Sequence, residues 1–273
     1  MSTREPVAVG ARGFVPRVLA VPAVLGLALL IVPLAALVAR VEWSTLWQDV
    51  TSPEALSALG LSLSTGLVAT AVCVVLGVPL ALAIARMNPR GAAVLRALVT
   101  VPLVLPPMVG GVALLFLFGR NGWAGQLLAD AGIRLPFTTT AVVIAQAFVA
   151  LPFLVLAVEG SLRATGVGYE QTAAALGAGR WTILRRVTLP LAGPGLVAGI
   201  VLCFARAVGE FGATALFAGN APGVTRTMPL AIYTAFNGAG VSQGTAVALS
   251  LLLLVTTIAV LVLVRAWRAE TPR

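Results

Sequence analysis

Six long apolar runs constrain the fold of this chain more than any single motif does. A helix needs about 20 consecutive apolar residues to cross the hydrocarbon core of a bilayer. Lipid offers the backbone no hydrogen-bond partner, so a run of this length satisfies its own amide and carbonyl groups as an α-helix. We therefore expect an all-α polytopic membrane protein with six transmembrane helices. The predicted spans are 17–39, 57–85, 93–118, 139–158, 193–217 and 244–265.

The composition supports a membrane protein and excludes several kinds of site. Hydrophobic residues make up 59% of the chain and charged residues only 10%, against about 25% charged residues in soluble domains. The chain contains no lysine, which excludes a phosphate-binding loop of the G-x-x-x-x-G-K-S/T kind. It also contains no histidine, which removes zinc-protease motifs and most metal sites. We expect no catalytic residue, metal or cofactor here, and we expect Cys73 and Cys203 to be buried free thiols.

The arginines are distributed unequally between the two sides of this predicted topology. They are scattered among apolar runs, which fits membrane topology better than a nucleic-acid-binding face. Loops on the cytoplasmic side are enriched in arginine, so we expect both termini and the loop 159–190 to be cytoplasmic. The chain then divides into a tail 1–16, a transmembrane domain 17–265 and a tail 266–273. The arginines on the cytoplasmic side are Arg4, Arg12, Arg17, Arg86, Arg90, Arg96, Arg163, Arg180, Arg185, Arg186, Arg265, Arg268 and Arg273, and those on the other side are Arg40, Arg120, Arg134 and Arg226.

Prolines and glycines interrupt the third predicted span in the sequence PLVLPPMVGG. Each proline removes a backbone hydrogen bond, and within a membrane only protein or water can satisfy the carbonyl that is left. The dense group Pro106, Pro107, Gly110 and Gly111 favours a kinked segment that lines or gates a pathway. An ordinary packing kink is the alternative.

Two opposite charges lie near the middle of the fifth predicted span. Arg206 and Glu210 are four residues apart, a separation that puts them on one helix face and allows them to pair. A single charge at this depth costs roughly 2.5–3.5 kcal/mol, so we expect both side chains to face the protein interior. Two roles remain open. Either the pair locks the helix against its neighbours, or Arg206 lines an anion path on which Glu210 moderates the positive field.

A polar and basic segment, YEQTAAALGAGRWTILRRVTLP at residues 169–190, separates two of the apolar runs. Small side chains at Ala173, Ala174 and Gly177 leave one surface of a short helix nearly bare, so a groove of another protein could approach its backbone. Gly177 also suits a helix C-terminus, where the left-handed conformation is cheap for glycine. Three arginines in the second half could meet acidic partners or lipid headgroups.

This segment resembles the cytoplasmic coupling loop of ABC-importer permeases, whose pattern is E-A-A, three residues, G, nine residues, I, one residue and L-P. In that family the segment is a short helix that docks into a groove of a partner ATPase. With Gly177 as the motif glycine, Gln171 occupies the acidic position and Glu170 directly precedes it. An ordinary basic loop is the alternative. The coupling residues that the resemblance implies are Glu170, Gln171, Ala173, Ala174, Leu176, Gly177, Arg180, Trp181 and Pro190.

Other stretches resemble one group of these permeases, the importers of molybdate, tungstate and sulfate. PLVLPPMVGGVALL, AQAFVALPFLV and FARAVGEFGAT…FAGN are similar to the molybdate-type permease, and the resemblance extends from about residue 55 to residue 265. It implies a type I ABC-importer permease fold in a bacterial cytoplasmic membrane. It also implies a homodimer around the translocation pathway, a separate ATPase that uses ATP and Mg²⁺, and an extracytoplasmic binding protein that delivers molybdate.

Several alternatives stay open at this point. A sulfate, thiosulfate or tungstate permease would use the same machinery, because the binding protein sets much of the selectivity. A secondary transporter without ATP would need intramembrane acids and inverted repeats; Glu210 is one such acid, and no repeat is visible. An intramembrane enzyme fits worst. Hydroxyls of Thr138 to Thr140 or of Thr214 are possible donors to an oxyanion, as are helix N-termini, but the sequence favours a role of these threonines in satisfying helix backbone.

Overall fold

The computed structural model describes residues 17–238 and 243–269, and all regular secondary structure in these ranges is helical. The expected all-α fold is therefore confirmed for the described residues. The predicted tail 1–16 and residues 270–273 lie outside them. In chain order the elements are a 3-10 turn (Arg17–Leu19), α1 (Ala20–Ala39), α2 (Leu46–Val50), α3 (Pro53–Arg86), α4 (Pro89–Val104), α5 (Pro107–Phe118), α6 (Trp123–Asp130), α7 (Thr139–Thr165), α8 (Gly168–Ala175), α9 (Arg180–Ile183), a π-helical turn (Leu184–Thr188), α10 (Leu189–Val208), α11 (Gly212–Phe217), α12 (Met228–Asn237) and α13 (Gln243–Ala269).

The helix α1 belongs to a compact unit that ends at Val41, and the remainder of the chain forms a second unit. None of the side chains of α1 is buried. Its length and apolar composition are sufficient to cross a membrane, and it coincides with the first predicted span. An apolar helix of this kind requires lipid or another protein surface around it.

Three long helices of the second unit begin at residues that suit helix N-termini. Ser52, Asn88 and Thr138 each accept a hydrogen bond from the backbone amide three residues later, at 3.2, 2.8 and 3.2 Å. These side-chain oxygens satisfy amides that the first helical turn leaves without a partner. Local sequence therefore fixes where α3, α4 and α7 start.

Clusters of buried side chains hold this second unit together, and three of them position the sites described below. The Ile84 cluster includes Cys73, Ile84, Leu154 and Cys203, and it lies between α3, α4, α7 and α10. The Phe217 cluster includes Leu114, Val142 and Phe217, and it lies between α5, α7 and α11. The Met228 cluster includes Ala58, Met228 and Leu249, and it lies between α3, α12 and α13. Both cysteines are free and buried, as expected.

Four described helices are long and apolar enough to cross a membrane. They are α1, α3, α7 and the continuous helix Arg180–Val208, which joins α9, the π-helical turn and α10. A fifth span results if α4 and α5 are counted together, and the axes of these two helices differ by 107°. The apolar part of α13, Gly244–Val260, is shorter. The number of six spans stays a prediction.

Two predicted spans consist of two helices each. The predicted span 93–118 is interrupted at Leu105 and Pro106, which have extended backbone conformations with ψ of 139° and 132°. The cause is the Pro106-Pro107 pair, because a residue before proline disfavours the helical conformation. The predicted span 193–217 is interrupted between α10 and α11, where Glu210 lies.

Candidate functional site

The predicted coupling segment consists of two short helices and a π-helical turn. α8 is connected to α9 through Gly177, and the π-helical turn leads directly into α10. Pro190 follows this turn and has no amide to donate to it, which is consistent with irregular backbone hydrogen bonding at this place. The loop predicted at 159–190 begins later than expected, since α7 continues to Thr165.

Backbone geometry explains the glycine at position 177. The φ angle of Gly177 is +86°. Its amide donates to the carbonyl of Ala174 at 3.0 Å, and the amide of Ala178 donates to the carbonyl of Ala173 at 3.0 Å. These two bonds form the Schellman motif that ends many helices. A Cβ atom at Gly177 would have no neighbour within 4 Å, so the chain itself requires glycine here for its left-handed conformation and not for space.

Large apolar side chains project outward from this polar segment. The exposed fractions are 65% for Tyr169, 84% for Leu176 and 68% for Trp181. The guanidinium carbon of Arg185 lies 5.9 Å from the centroid of the Trp181 ring, within the range of a cation–π interaction. A group of large exposed apolar side chains marks an interaction surface. The other small or charged predicted coupling residues, Ala173, Ala174, Arg180 and Pro190, are half-buried or exposed.

The two polar residues at the motif's acidic position have different surroundings. The carboxylate of Glu170 forms an ion pair with Arg86, the last residue of α3. Thr188 donates its hydroxyl hydrogen to the same carboxylate oxygen at 2.7 Å. Gln171 is exposed and makes no side-chain hydrogen bond to any described residue. Glu170 is therefore bound to its own chain, whereas Gln171 is available to a partner.

A second ion-pair group near this segment was missed by the sequence analysis. Glu159 of α7 has a side chain only 4% exposed and lies 2.5 Å from Arg96 of α4 and 2.9 Å from Arg163 of α7. The Arg96 contact is bidentate, since Nε also donates to the second carboxylate oxygen at 3.1 Å. Two arginines neutralise this buried carboxylate, which allows α7 to continue past it. The spacing of Glu159 and Arg163 by four residues was the available signal.

Arg206 and Glu210 form a close pair at the interruption between α10 and α11. The distance from Arg206 Nη2 to Glu210 Oε2 is 2.6 Å, and the side chains are 25% and 1% exposed. Glu210 lies beyond the end of α10 rather than on the same continuous helix. Its other carboxylate oxygen accepts a hydrogen bond from the amide of Ala213 at 2.8 Å. The same carboxylate thus holds the arginine and caps α11.

The segment with the prolines and glycines packs against this interruption. A Cβ atom at Gly111 would lie 2.8 Å from the carbonyl oxygen of Ala213, and one at Gly212 would lie 3.1 Å from the amide nitrogen of Met108. A Cβ atom at Gly110 would lie 2.9 Å from the Phe148 ring of α7. These glycines are buried, and they allow the backbones of α5 and α11 to approach closely.

The threonines considered as oxyanion donors have different surroundings. The hydroxyls of Thr138 and Thr139 donate to backbone carbonyls at 2.6 and 2.9 Å. The hydroxyl of Thr214 in α11 is buried and has no hydrogen-bond partner among the described residues. The same holds for the amide group of Gln146 in α7, which the sequence analysis did not consider. In the sequence, the position of Gln146 inside the apolar stretch AQAFVALPFLV was the signal for this buried polar group.

Long apolar helices, an exposed polar segment between two of them and an ion pair at a broken helix are typical of a polytopic membrane permease. Solved ABC importers have a similar fold. The inward-facing MetNI methionine ABC transporter matches with a TM-score of 0.63 and 21% identity over 80% of this chain and 96% of the other. A bacterial ABC transporter involved in alginate import matches with a TM-score of 0.69 and 14% identity over 93% and 95% of the two chains. The expected fold of ABC-importer permeases is thereby confirmed.

The chain belongs to the family of binding-protein-dependent transport system inner membrane components, whose model matches residues 74–269. A molybdenum transport system permease protein, ModB, of Mycobacterium bovis is 51% identical over 240 residues, covering 88% of this chain and 90% of the relative. Escherichia coli ModB is 42% identical over 197 residues, covering 72% and 86%. The sulfate transport system permease protein CysT of Escherichia coli is 37% identical over 208 residues, covering 75% of each chain. The family resemblance stated from the motifs is confirmed.

Proposed function

We propose that this chain is the membrane-spanning permease of an ATP-driven importer of molybdate. The observation that carries the proposal is the 51% identity, over 88% of the chain, to a molybdenum transport permease. The binding-protein-dependent family and the ABC-importer fold favour this function over a secondary transporter that works without ATP.

The exposed coupling segment supports a partner ATPase. Tyr169, Leu176 and Trp181 offer apolar contacts, and Gln171 offers a side-chain amide that bonds to none of the described residues. ATP and Mg²⁺ would be bound by that partner, and this chain would transmit its movement. The arginine distribution supports a cytoplasmic position of the segment and of both termini. A binding protein then delivers the anion on the opposite side of the membrane.

A second copy of the chain completes the assembly. The apolar helix α1 has no buried side chain, and many apolar side chains of α3 and α4 are exposed, including Leu67, Val75, Leu98 and Val104. Part of these apolar side chains contacts lipid, and we propose that part of the exposed side of α3 and α4 forms a homodimer with the translocation pathway between the copies. The closely packed segment Pro106–Gly111 borders this pathway.

The ion pair between Arg206 and Glu210 suits a pathway that an anion has to leave again. Glu210 compensates the charge of Arg206, so the exposed quarter of the arginine side chain attracts an oxyanion without holding it strongly. The buried hydroxyl of Thr214, within the same helix α11 that Glu210 caps, is a further donor. We propose that the pair has a structural role first, because its carboxylate is also bonded to the backbone of α11.

A sulfate permease is the second candidate, and the 37% identity to CysT favours it. The deciding experiment uses the purified complex with its ATPase and binding protein in liposomes, titrated with molybdate and then with sulfate. We expect molybdate at low concentration to stimulate ATP hydrolysis and to accumulate inside. ATP hydrolysis that sulfate stimulates and molybdate does not would identify sulfate as the substrate instead of molybdate. Hydrolysis that neither anion stimulates would refute both substrate proposals.

A further inference from the structure

We infer that Glu170 is a positioning residue that transmits movement of the coupling helix α8 to two transmembrane helices at once. The inference rests on the proposed function, because it requires a partner that moves α8. It goes beyond docking, since the carboxylate of Glu170 faces its own chain. The two connected helices are α3, through Arg86, and α10, through Thr188.

One carboxylate oxygen joins three separate segments of the chain. Glu170 lies in the first turn of α8, Arg86 is the last residue of α3, and Thr188 is the last residue of the π-helical turn. The same atom, Oε1 of Glu170, accepts hydrogen bonds from both partners. Thr188 is 5% exposed, and the side chains of Glu170 and Arg86 are 20% and 31% exposed. These contacts are thus partly sheltered from water. Charge-assisted hydrogen bonds are stronger in such a sheltered place than on an open surface.

The backbone connections of α8 make such a side-chain link necessary. Glycines with left-handed backbone flank the helix on both sides, Gly166 with φ of +69° and Gly177 with φ of +86°. Each is followed within two residues by another glycine, Gly168 and Gly179. Glycine-rich connections bend easily, so force applied to α8 is poorly transmitted along the chain. The ion pair and the hydrogen bond of Glu170 provide a direct connection instead.

The π-helical turn is suited to receive this force. Such turns are rare and frequently lie at functional sites. Thr188 is at its junction with α10, and a change from π-helical to α-helical hydrogen bonding would shift the following helix by one residue. That is a translation of about 1.5 Å together with a rotation of roughly 100°.

The close contact between α3 and α10 carries the displacement further. A Cβ atom at Gly66 of α3 would lie 2.7 Å from Cγ2 of Val208, and Val208 is the last residue of α10. The two helices are therefore packed together next to the interruption that contains Glu210. Moving the other ends of α3 and α10 together displaces this interruption and the Arg206 side chain bound there.

The test measures the amount of molybdate transported per ATP hydrolysed in liposomes that contain the complete complex. The variants are Glu170→Gln, which keeps a hydrogen-bond acceptor without the charge, and Arg86→Gln. We expect both to lower the ratio about tenfold, which is the size expected for losing one charge-assisted hydrogen bond. The exchanged pair, Arg86→Glu with Glu170→Arg, should recover part of the ratio. The matched control is Arg90→Gln, since Arg90 is exposed and has no ion pair with any described residue.

A purely structural role of Glu170 would give a different result. The yield of assembled complex would fall, but the complex that remained would transport the wild-type amount of molybdate per ATP. That outcome, or an unchanged ratio in both single variants, would overturn the inference. Loss of the ATPase on purification of Glu170→Gln would also overturn it, because Glu170 would then serve docking.

A second readout separates this inference from the choice of substrate. A spin label at Leu202→Cys, on the exposed side of α10, reports movement of that helix. Because both natural thiols are buried, the label reacts at the introduced cysteine. We expect ATP to change the label's mobility in the wild-type complex and to have little effect in Glu170→Gln that still hydrolyses ATP. A wild-type complex that responds to ATP but does not transport molybdate would refute only the substrate. An equal response of the label in both proteins would refute the role of Glu170.

Discussion

Replacing Arg206 alone should damage this protein more than replacing Arg206 and Glu210 together. In Arg206→Met, the Glu210 carboxylate keeps the amide of Ala213 at 2.8 Å but loses the guanidinium nitrogen at 2.6 Å, while its side chain is only 1% exposed. Removing one partner of a buried ion pair typically costs about 3–5 kcal/mol. Because a quarter of the Arg206 side chain is exposed, we expect a loss of about 3 kcal/mol.

The double variant Arg206→Met with Glu210→Gln removes the unpaired charge. The glutamine side-chain oxygen can still accept the hydrogen bond from Ala213, so α11 keeps its cap. What remains is a buried amide that lacks part of its hydrogen bonding, at a cost of about 1 kcal/mol. The double variant should therefore retain about 2 kcal/mol more stability than the single variant, roughly a thirtyfold difference in the ratio of folded to unfolded protein.

The assay is the yield of monodisperse protein and its thermal midpoint in detergent, measured by fluorescence-detected size exclusion. Leu202→Met, an exposed change on the same helix, serves as the control. We expect the thermal midpoint and the yield to be highest for the wild type, lower for the double variant and lowest for Arg206→Met. A double variant with the same or a lower midpoint than Arg206→Met would show that the unpaired carboxylate is not the source of the damage.

Two further predictions concern glycines. Gly111→Ala should lower the thermal midpoint by overpacking, at a cost of about 1–3 kcal/mol, because its Cβ would lie 2.8 Å from a backbone oxygen of Ala213. The control Gly60→Ala, whose Cβ has no neighbour within 4 Å, should leave the midpoint unchanged or raise it. Equal thermal midpoints of these two variants would contradict the close contact at Gly111. Gly177→Ala should weaken co-purification of the ATPase, because a left-handed φ costs a non-glycine residue about 1–2 kcal/mol. Gly177→Asn should weaken it less. If the Gly177→Ala protein binds the ATPase as well as the wild type does, binding does not depend on this conformation at the end of α8.

The sequence predicted the helices, and it predicted an exposed polar segment between two of them, because both features depend on local properties. The length of an apolar run and the spacing from Gly177 to Pro190 are visible in the chain itself. The sequence did not show that Glu170 is paired within the chain while Gln171 is exposed. The two side chains are neighbours, and this difference arises from the residues around them in the fold. It depends on where α3 ends, and Arg86 lies 84 positions away in the sequence.

Glu159 was missed for a related reason. A charged residue next to an apolar run looks like the beginning of a loop when the run is considered alone. Arg96, the partner that keeps it inside α7, is on a helix that only the folded structure brings close. The interruption beyond α10 was hidden as well, because a four-residue separation of Arg206 and Glu210 fits a continuous helix equally well.

The arrangement of the clusters has a consequence for how the second unit can change shape. α4 and α10 contribute to the Ile84 cluster, whereas their continuations α5 and α11 contribute to the Phe217 cluster. Both helices are interrupted where they pass from one cluster to the other, and just after the interruptions α5 and α11 pack closely at Gly111 and Ala213. α7 contributes to both clusters without interruption. A shift of one cluster against the other would therefore bend α4–α5 and α10–α11 at their interruptions, whereas α7 joins the two clusters as a continuous helix.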